Sequence, residues 1–440
     1  MRTGIPVEEA LEAILDAARP LPPEMAPAHA ALGRVLAERV CSRRTLPPAD
    51  CSAMDGYAVR AADLPEAGRV LPVVFEVAAG GRGPRPLRAG EAARIFTGAP
   101  LPQGADSVVR QEDTEADGER VRFQVAVRSG ANVRRAGEDV ATGEEVIRTG
   151  TRLGPGHLGM LASLGRSLVR VHRRPRVALL SGGDELVEPD GDPSGGRIVS
   201  SNAYSLGAQC REAGALATNL GIARDSPEDL ERLLRAGLGA DLLVSSAGVS
   251  VGDHDHVRPV LEKLGCQLVF WGVLMKPGYP LAFGRFAAAG DALAGPLVFG
   301  LPGNPVSAMV TFEQFVRPAL LRMAGHRACF RPEVEAVLEE ELCKSPGRLH
   351  FVRVVLRREG ERWVARSTGS QSSGVLRSMT LANGLLLFPA EAERLVAGSR
   401  VRVQVTDPTL FDRVQATDPT LFDRVRATDP TRFDRMQSGT

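Results

Sequence analysis

Apolar residues at Val7, Leu11, Ile14 and Leu15 fall on one face at helical spacing, which predicts an amphipathic helix over residues 6–18 that ends near Pro20. From about residue 45 to 145 the spacing shortens. Runs such as "VLPVVFEV", "ADSVVRQE" and "VRFQVAV" are brief and separated by Pro and Gly, the pattern of a small β domain. "GPGHLGMLASLG" then reads as a helix and "SLVRVH" as a strand.

Residue 175 begins a different rhythm. "RVALLSGGDEL" is an apolar run entering a glycine turn, and "SNAYSLGAQCREAG" reads as a helix capped by Ser or Asn. "ATNLGIARD" reads as a strand, and "SPEDLERLLRAGLG" as a helix with Ser226 at its N-cap and Pro227 in its first position. Further strands ("DLLVSSAG", "LVFWGVLM", "PLVFGLPG") alternate with helices ("HVRPVLEKLG", "PVSAMVTFEQFVRPALLRMAG"). This alternation predicts an αβα domain over 175–326 with a mostly parallel sheet, and places ligands at the C-terminal ends of its strands. From 327 to 405 strands return in "HFVRVVLRR", "RWVARSTG", "GLLLFPAE" and "RVRVQV", which predicts a small β-barrel or sandwich. The tail, 406–440, repeats every eleven residues from Asp407, Asp418 and Asp429. A Pro in each unit and few apolar residues predict a disordered tail rather than a coiled coil.

Composition then narrows the function classes. In 440 residues, 54 Lys and Arg nearly cancel 53 Asp and Glu, so neither nucleic acid nor an anionic membrane is expected as a partner. Six cysteines lie far apart with no C-x-x-C pair, against a zinc ribbon or a disulfide scaffold. An N-terminus with acids in place of an apolar signal core, and no long apolar run, predict a cytoplasmic protein.

Three loops after predicted strands combine glycine with polar or acidic residues: "SGGDEL" (181–186), "SSAGVSVGDHD" (245–255) and "LPGNPVSA" (301–308). Glycine lets backbone N–H groups approach an anion, and a following helix adds its positive end. Three such loops on one sheet edge point to a nucleotide or oxyanion site. Asp184, Glu185, Asp253 and Asp255 could hold Mg²⁺ against phosphate oxygens, while Asp253 serves equally as a helix cap. His254 and His256 lack zinc-ligand spacing. Asp55, in "SAMDGYAV", is either a turn carboxylate or a ligand group. Lys276, in "MKPGYP", could pair with an oxyanion.

These motifs, with "TGAPLPQGAD", "AGED" and "GSQSSGVLRSMTLANGLLLFP", resemble in order the molybdopterin molybdenumtransferases, the MoeA-type family that includes the gephyrin E domain. The resemblance spans residues 1 to about 405. It implies a discontinuous, elongated N-terminal domain (1–45 and 140–174), a β-rich inserted domain (46–139), the αβα domain and a C-terminal β-barrel (327–405). It implies a homodimer whose cleft combines the αβα domain of one subunit with the β domain of the other. The implied reaction takes adenylated molybdopterin and molybdate and, with Mg²⁺ as cofactor, yields molybdenum cofactor and AMP. The molybdopterin adenylyltransferase and molybdoenzyme apoproteins are the further partners it suggests.

By the same resemblance Asp55, Thr97, Asp139, Glu185 and Asp255 are catalytic, with Asp55, Glu185 and Asp255 at the metal. Ser250, Gly252, Gly303 and Asn304 fall on the ligand phosphates. Lys276, Tyr279, Pro280, Ser307, Arg353 and Ser373 fall on the molybdate pocket. Three positions depart from the family pattern: Gly182 where Thr is usual, Ala247 in a usual Gly-Gly, and Tyr279 at the second lysine of K-P-G-K-P. A phenol for an ammonium predicts weaker oxyanion binding. A paralogue taking a related oxyanion or pterin nucleotide, or a non-catalytic scaffold of this fold, are the alternatives.

Overall fold

A computed structural model of the chain describes residues 2–80, 85–246, 257–286, 295–407 and 409–410. The expectations for Ser250, Gly252, Asp253, His254, Asp255, His256, Ala247 and the tail repeats beyond 410 therefore lie outside the described residues. Contacts divide the chain into two units: Met1–Glu24, Gly33–Val35 and His172–Thr440 form one, and Met25–Leu32 with Leu36–Val171 the other.

In the first unit the alternation after residue 175 does build a sheet with helices. Its seven strands run in the order Arg2–Ile5, Cys266–Val273, Ala282–Phe286, Leu297–Leu301, Leu242–Ser246, Arg176–Gly182 and Leu216–Ala223. The last four are mutually parallel. Ala282–Phe286 runs antiparallel to both neighbours, and the sequence reading missed it. Strands buried on both faces are largely apolar, as in Leu297–Leu301 and in Leu242–Ser246, which turns polar only at its two closing serines. The helix Pro227–Gly237 lies close on this sheet. A Cβ at Gly237 would come within 3.1 Å of Ala178 and Leu220.

The N-terminus departs from expectation. Residues 1–45 are predicted in the elongated domain, yet Arg2–Ile5 pairs in parallel with Cys266–Val273 as an edge strand of the seven-stranded sheet. The helix Val7–Ala17 follows, and its Val7, Ala10 and Ile14 join the main core with Phe270, Phe283, Phe299 and Phe315. The apolar stripe that makes this helix amphipathic is what ties the segment to the sheet.

Residues 333–405 close into a five-stranded barrel: Glu333–Leu338, Arg362–Ser367, Leu349–Glu359, Gly384–Phe388 and Arg400–Val405 pair in a ring. Side-chain bonds join barrel and sheet domain. Gln314 donates to Gln404 at 2.8 Å, and Arg331, just ahead of the first barrel strand, bridges the buried Glu313 and the exposed Glu212. Glu313 and Gln314 lie in a π-helical turn, Phe312–Val316, that interrupts the long last helix.

The second unit holds a six-stranded sheet, in the order Ser107–Arg110, Gly56–Val59, Ala92–Ile95, Val70–Val77, Arg120–Phe123 and Thr114–Asp117. Alternation sends Tyr57 and Val59 to one core and Ala58 to the other. A separate core gathers Ala26, Leu36, Val40, Val140, Ile147, Leu161 and Val169 around the helix Pro155–Ser163.

Ser226 caps Pro227–Gly237 as its sequence predicts, its hydroxyl accepting from the Asp229 N–H at 3.2 Å. Ser226→Ala should lower stability by about 1 kcal/mol, measured as a shift of the urea midpoint at unchanged slope.

Candidate functional site

The parallel strands deliver the loops after Gly182 and Leu301 to one edge of the seven-stranded sheet, while the loop after Ser246 lies outside the described residues. Arg176–Gly182 ends in Gly183, whose φ of 134° admits few side chains. The Glu185 carboxylate folds over it, so that a Cβ at Gly183 would lie 2.3 Å from its nearer oxygen. Glu185 is exposed and its carboxylate takes no hydrogen bond among the described residues, which leaves hard oxygen donors at the strand end. Asp184 has another task. It accepts from the Asp225 N–H and Asp225 accepts from the Asp184 N–H, both at 3.2 Å, which ties two strand ends together.

Ser200 precedes the helix Ser201–Glu212 but does not cap it by its side chain. Its hydroxyl turns to Ser181, which meets Ser246 at 3.3 Å, so three buried hydroxyls link the strand ends. Asn202 donates to the Gly303 carbonyl at 2.7 Å, and its buried Oδ1 has no partner among the described residues. Gly303 and Asn304 are exposed at the start of Pro305–Thr311, while Ser307 is buried in that helix.

A cleft of about 400 Å³ opens where the KPGYP loop meets the barrel, lined by Lys276, Lys344, Arg348, His350, Arg353 and Phe388 among others. Met275–Lys276 reaches it by pairing with Leu349 and His350. Arg353 is 1% exposed. Its guanidinium donates to the carbonyls of Ser370 and Ser372, at 3.4 and 3.2 Å, and to Ser378 Oγ at 3.2 Å. With no carboxylate beside it among the described residues, burial pulls its pKa down to about 10. The neighbouring Ser373 offers its carbonyl to the Val306 N–H at 3.1 Å, so the serine loop bridges Arg353 and the helix start.

Tyr279 and Pro280 are not among the residues that line this cleft. The Tyr279 ring packs edge-on against Trp271, with centroids 5.7 Å apart, and the Arg348 guanidinium sits 4.6 Å above it. Its hydroxyl lies against Gly4, where a Cβ would be 3.5 Å away. The oxyanion-facing phenol implied by the resemblance is thus not what the geometry presents. The sequence reading also overlooked Lys344, Arg348 and His350. The signal was there in "KSPGRLH" (344–350), two cations and a histidine at a strand entry with no acid between them.

Half-buried His350 is pushed down to about 4, first by burial and then by the charges of Lys276, Lys344 and Arg348. Lys344 is lowered too, chiefly by burial, while Glu391 and Glu393 oppose the shift.

In the second unit Asp55 stands exposed before the strand Gly56–Val59. Its Oδ1 accepts from both the Thr97 N–H and the Thr97 hydroxyl, each at 2.7 Å. Those two bonds hold its pKa below the ordinary value, with a smaller contribution from Arg94. A Cβ at Gly56 would lie 1.9 Å from the Val109 carbonyl, so only glycine lets the strands close behind Asp55. Asp139 is exposed, its backbone N–H bonded to the Leu46 carbonyl. Among the described residues no three His, Cys, Asp or Glu side chains converge as a metal-ligand set. No helix among them is long and apolar enough to cross a membrane. All six cysteines are free, with burial raising Cys210 to about 12 and Cys266 to about 11.

A largely parallel sheet with glycine-bearing loops at its carboxyl edge, joined to a closed barrel across a cationic cleft, is the arrangement that known proteins can be compared with. Residues 178–322 match the family described as a probable molybdopterin binding domain. Residues 5–165 match the MoeA N-terminal region (domain I and II), and 335–406 the MoeA C-terminal region (domain IV). A molybdopterin molybdenumtransferase of Nostoc sp. is 37% identical over 85% of this chain and 86% of its own. Molybdopterin molybdenumtransferase 2 of Mycobacterium tuberculosis is 35% identical over 90% and 98%. The crystal structure of a molybdopterin biosynthesis moea protein from Pyrococcus horikosii superposes with a TM-score of 0.78 at 32% identity, covering 92% of this chain and 99% of that one. The chain belongs to the molybdopterin molybdenumtransferases, enzymes of molybdenum cofactor biosynthesis.

Two outcomes follow from the titrating groups. Removing the hydroxyl donor in Thr97→Val should move the Asp55 carboxyl back up toward its ordinary pKa, read by carbon-detected NMR titration. His350, at about 4 when folded against 6.5 when free, sheds a proton on folding between those values. Its neutral form is therefore fully accommodated above pH 6.5, and stability falls as pH drops through the window. His350→Gln should flatten that decline by about 1–2 kcal/mol, after allowance for solvent screening, in paired melts at pH 7 and pH 4.5.

Proposed function

We propose that the chain inserts molybdate into adenylated molybdopterin with Mg²⁺ present and releases AMP, acting as a homodimer. The observation that carries the reading is the cleft. Lys276, Lys344, Arg348 and Arg353 line it, and none forms an ion pair with a carboxylate among the described residues. On the same barrel Arg357, Arg394, Arg400 and Arg402 each pair with a glutamate. Four cations without a paired carboxylate, of which Lys344 feels nearby acids in Glu391 and Glu393, suit a dianion such as molybdate.

The sheet edge supplies the rest. Gly303 and Asn304 are exposed just ahead of the helix Pro305–Thr311, and their own backbone N–H groups can receive phosphate oxygens, since Pro305 has none and the Val306 N–H is taken by the Ser373 carbonyl. The exposed Glu185 carboxylate and the ionised Asp55, held by Thr97, have the hard oxygen donors that Mg²⁺ takes. The metal, when bound, neutralises charge developing on the phosphoanhydride. Asp139 and the loop with Ser250, Gly252 and Asp255 belong to the same reading by family pattern. Ser307 and Ser373 flank the helix start, where the Ser373 carbonyl orients it.

AMP release from adenylated molybdopterin, followed with molybdate and Mg²⁺, tests the proposal. Asp55→Asn and Glu185→Gln should each slow it at least about a hundredfold, the scale seen when a metal site loses a supporting group. Chelation with EDTA should stop it, and added Mg²⁺ restore it. Full activity in either variant, or in EDTA, refutes the assignment. A single species at the monomer mass in light scattering refutes the homodimer.

A further inference from the structure

The Tyr279 position and the cation above it form a unit that the family pattern does not describe. Tyr279 stands where a lysine is usual, so the KPGYP loop carries one charge, on Lys276, in place of two. Yet the tyrosine is firmly seated. Its ring has Trp271 at its edge and Gly272 beneath, where a Cβ would come within 3.2 Å of the ring. Gly272 has a φ of 80°, so that surface is reserved for glycine and the ring has a fixed floor. Over the ring lies Arg348, its guanidinium carbon 4.6 Å from the ring centre.

Arg348 is also placed from its own side. Gly347 turns the chain at a φ of 98°, its N–H bonded to the Ala390 carbonyl, and the Leu349 N–H bonds to the Leu274 carbonyl. The guanidinium forms no ion pair among the described residues, and Arg348 lines the cleft with Lys276, Lys344 and Arg353. An exposed arginine without a counter-ion would ordinarily sample many rotamers. A ring beneath it restricts that freedom and leaves the N–H edges open to a ligand, since the guanidinium stacks by its face and donates in its plane.

We infer that Arg348, mounted on Tyr279, supplies the second cation of the oxyanion site, so that tyrosine at 279 relocates the positive charge and does not remove it. The inference rests on the proposed molybdate chemistry and deepens it. The ligand class is a tetrahedral dianion. Arg348 would be a direct ligand of that anion and Tyr279 a positioning residue, acting by its ring face while its hydroxyl lies against Gly4. Lys344 is mounted in a similar way, its Nζ 5.0 Å from the Phe388 ring, but it also donates to the Ala390 carbonyl at 3.0 Å.

Equilibrium dialysis with radioactive molybdate on the full-length chain, beside the half-saturating molybdate concentration for AMP release, tests this. Arg348→Ala and Tyr279→Ala should each weaken molybdate binding about five- to thirtyfold, with affinity for adenylated molybdopterin unchanged. Tyr279→Phe should bind molybdate as the parent does, because the ring face remains. The double variant should be no weaker than the worse single one, as expected when one residue acts through the other. The inference is overturned if Tyr279→Phe loses as much as Tyr279→Ala, if Arg348→Ala leaves molybdate binding intact, or if the two losses multiply. It is overturned equally if pterin affinity falls in step with molybdate affinity, the mark of general unfolding. If the parent protein binds neither molybdate nor tungstate, the proposed function itself fails. A parent that binds while Arg348→Ala is indistinguishable from it sinks only the inference.

Discussion

A guanidinium buried without a carboxylate sets the terms for the sheet-and-barrel half of this protein. Arg353 is almost wholly removed from water and, among the described residues, its charge is met only by carbonyl and hydroxyl oxygens. Neutral dipoles can satisfy its N–H groups but cannot cancel its charge. Two consequences follow from that one fact. The serine loop must wrap closely enough to bring Ser370 and Ser372 to the guanidinium, and Gln371 reinforces it by bonding both the N–H and the carbonyl of residue 353. The uncancelled charge then adds to the field of the adjoining cleft.

The same loop couples barrel to sheet domain. Ser373 follows directly on the carbonyls that Arg353 holds, and its own carbonyl meets the Val306 N–H at the start of the last helix. Lys276 enters through strand pairing with His350. The cleft is therefore assembled from segments far apart in the chain, each fixed by backbone bonds as well as by side chains. A cation cluster can persist there because His350 stays neutral at ordinary pH, held so by burial and by the charges it faces.

Acidic groups are handled in the opposite manner. Asp55 is kept ionised by two donors from Thr97, and Glu185 lies over a glycine that leaves room for its carboxylate. These carboxylates stay exposed with few protein partners, whereas Asp184, bonded across to Asp225, is occupied with the fold. Neighbouring acids in one loop thus have different roles, set by which backbone N–H groups lie within reach.

The sequence by itself determined the local elements and the family. Apolar runs between glycine turns specify strands, Ser226 and Pro227 start a helix, and the collinear motifs identify a molybdopterin molybdenumtransferase, because each depends on neighbours a few residues away. Lys276 and Arg353, placed in one pocket by the family resemblance, do line one cleft. Other decisions needed the tertiary structure. Arg2–Ile5 joins a sheet whose adjacent strand lies more than 260 residues on, Ser200 abandons its helix cap for Ser181, and Tyr279 turns its ring to Arg348. In each case the choice is made by a partner distant in sequence, and no local propensity encodes which partner the fold will bring near.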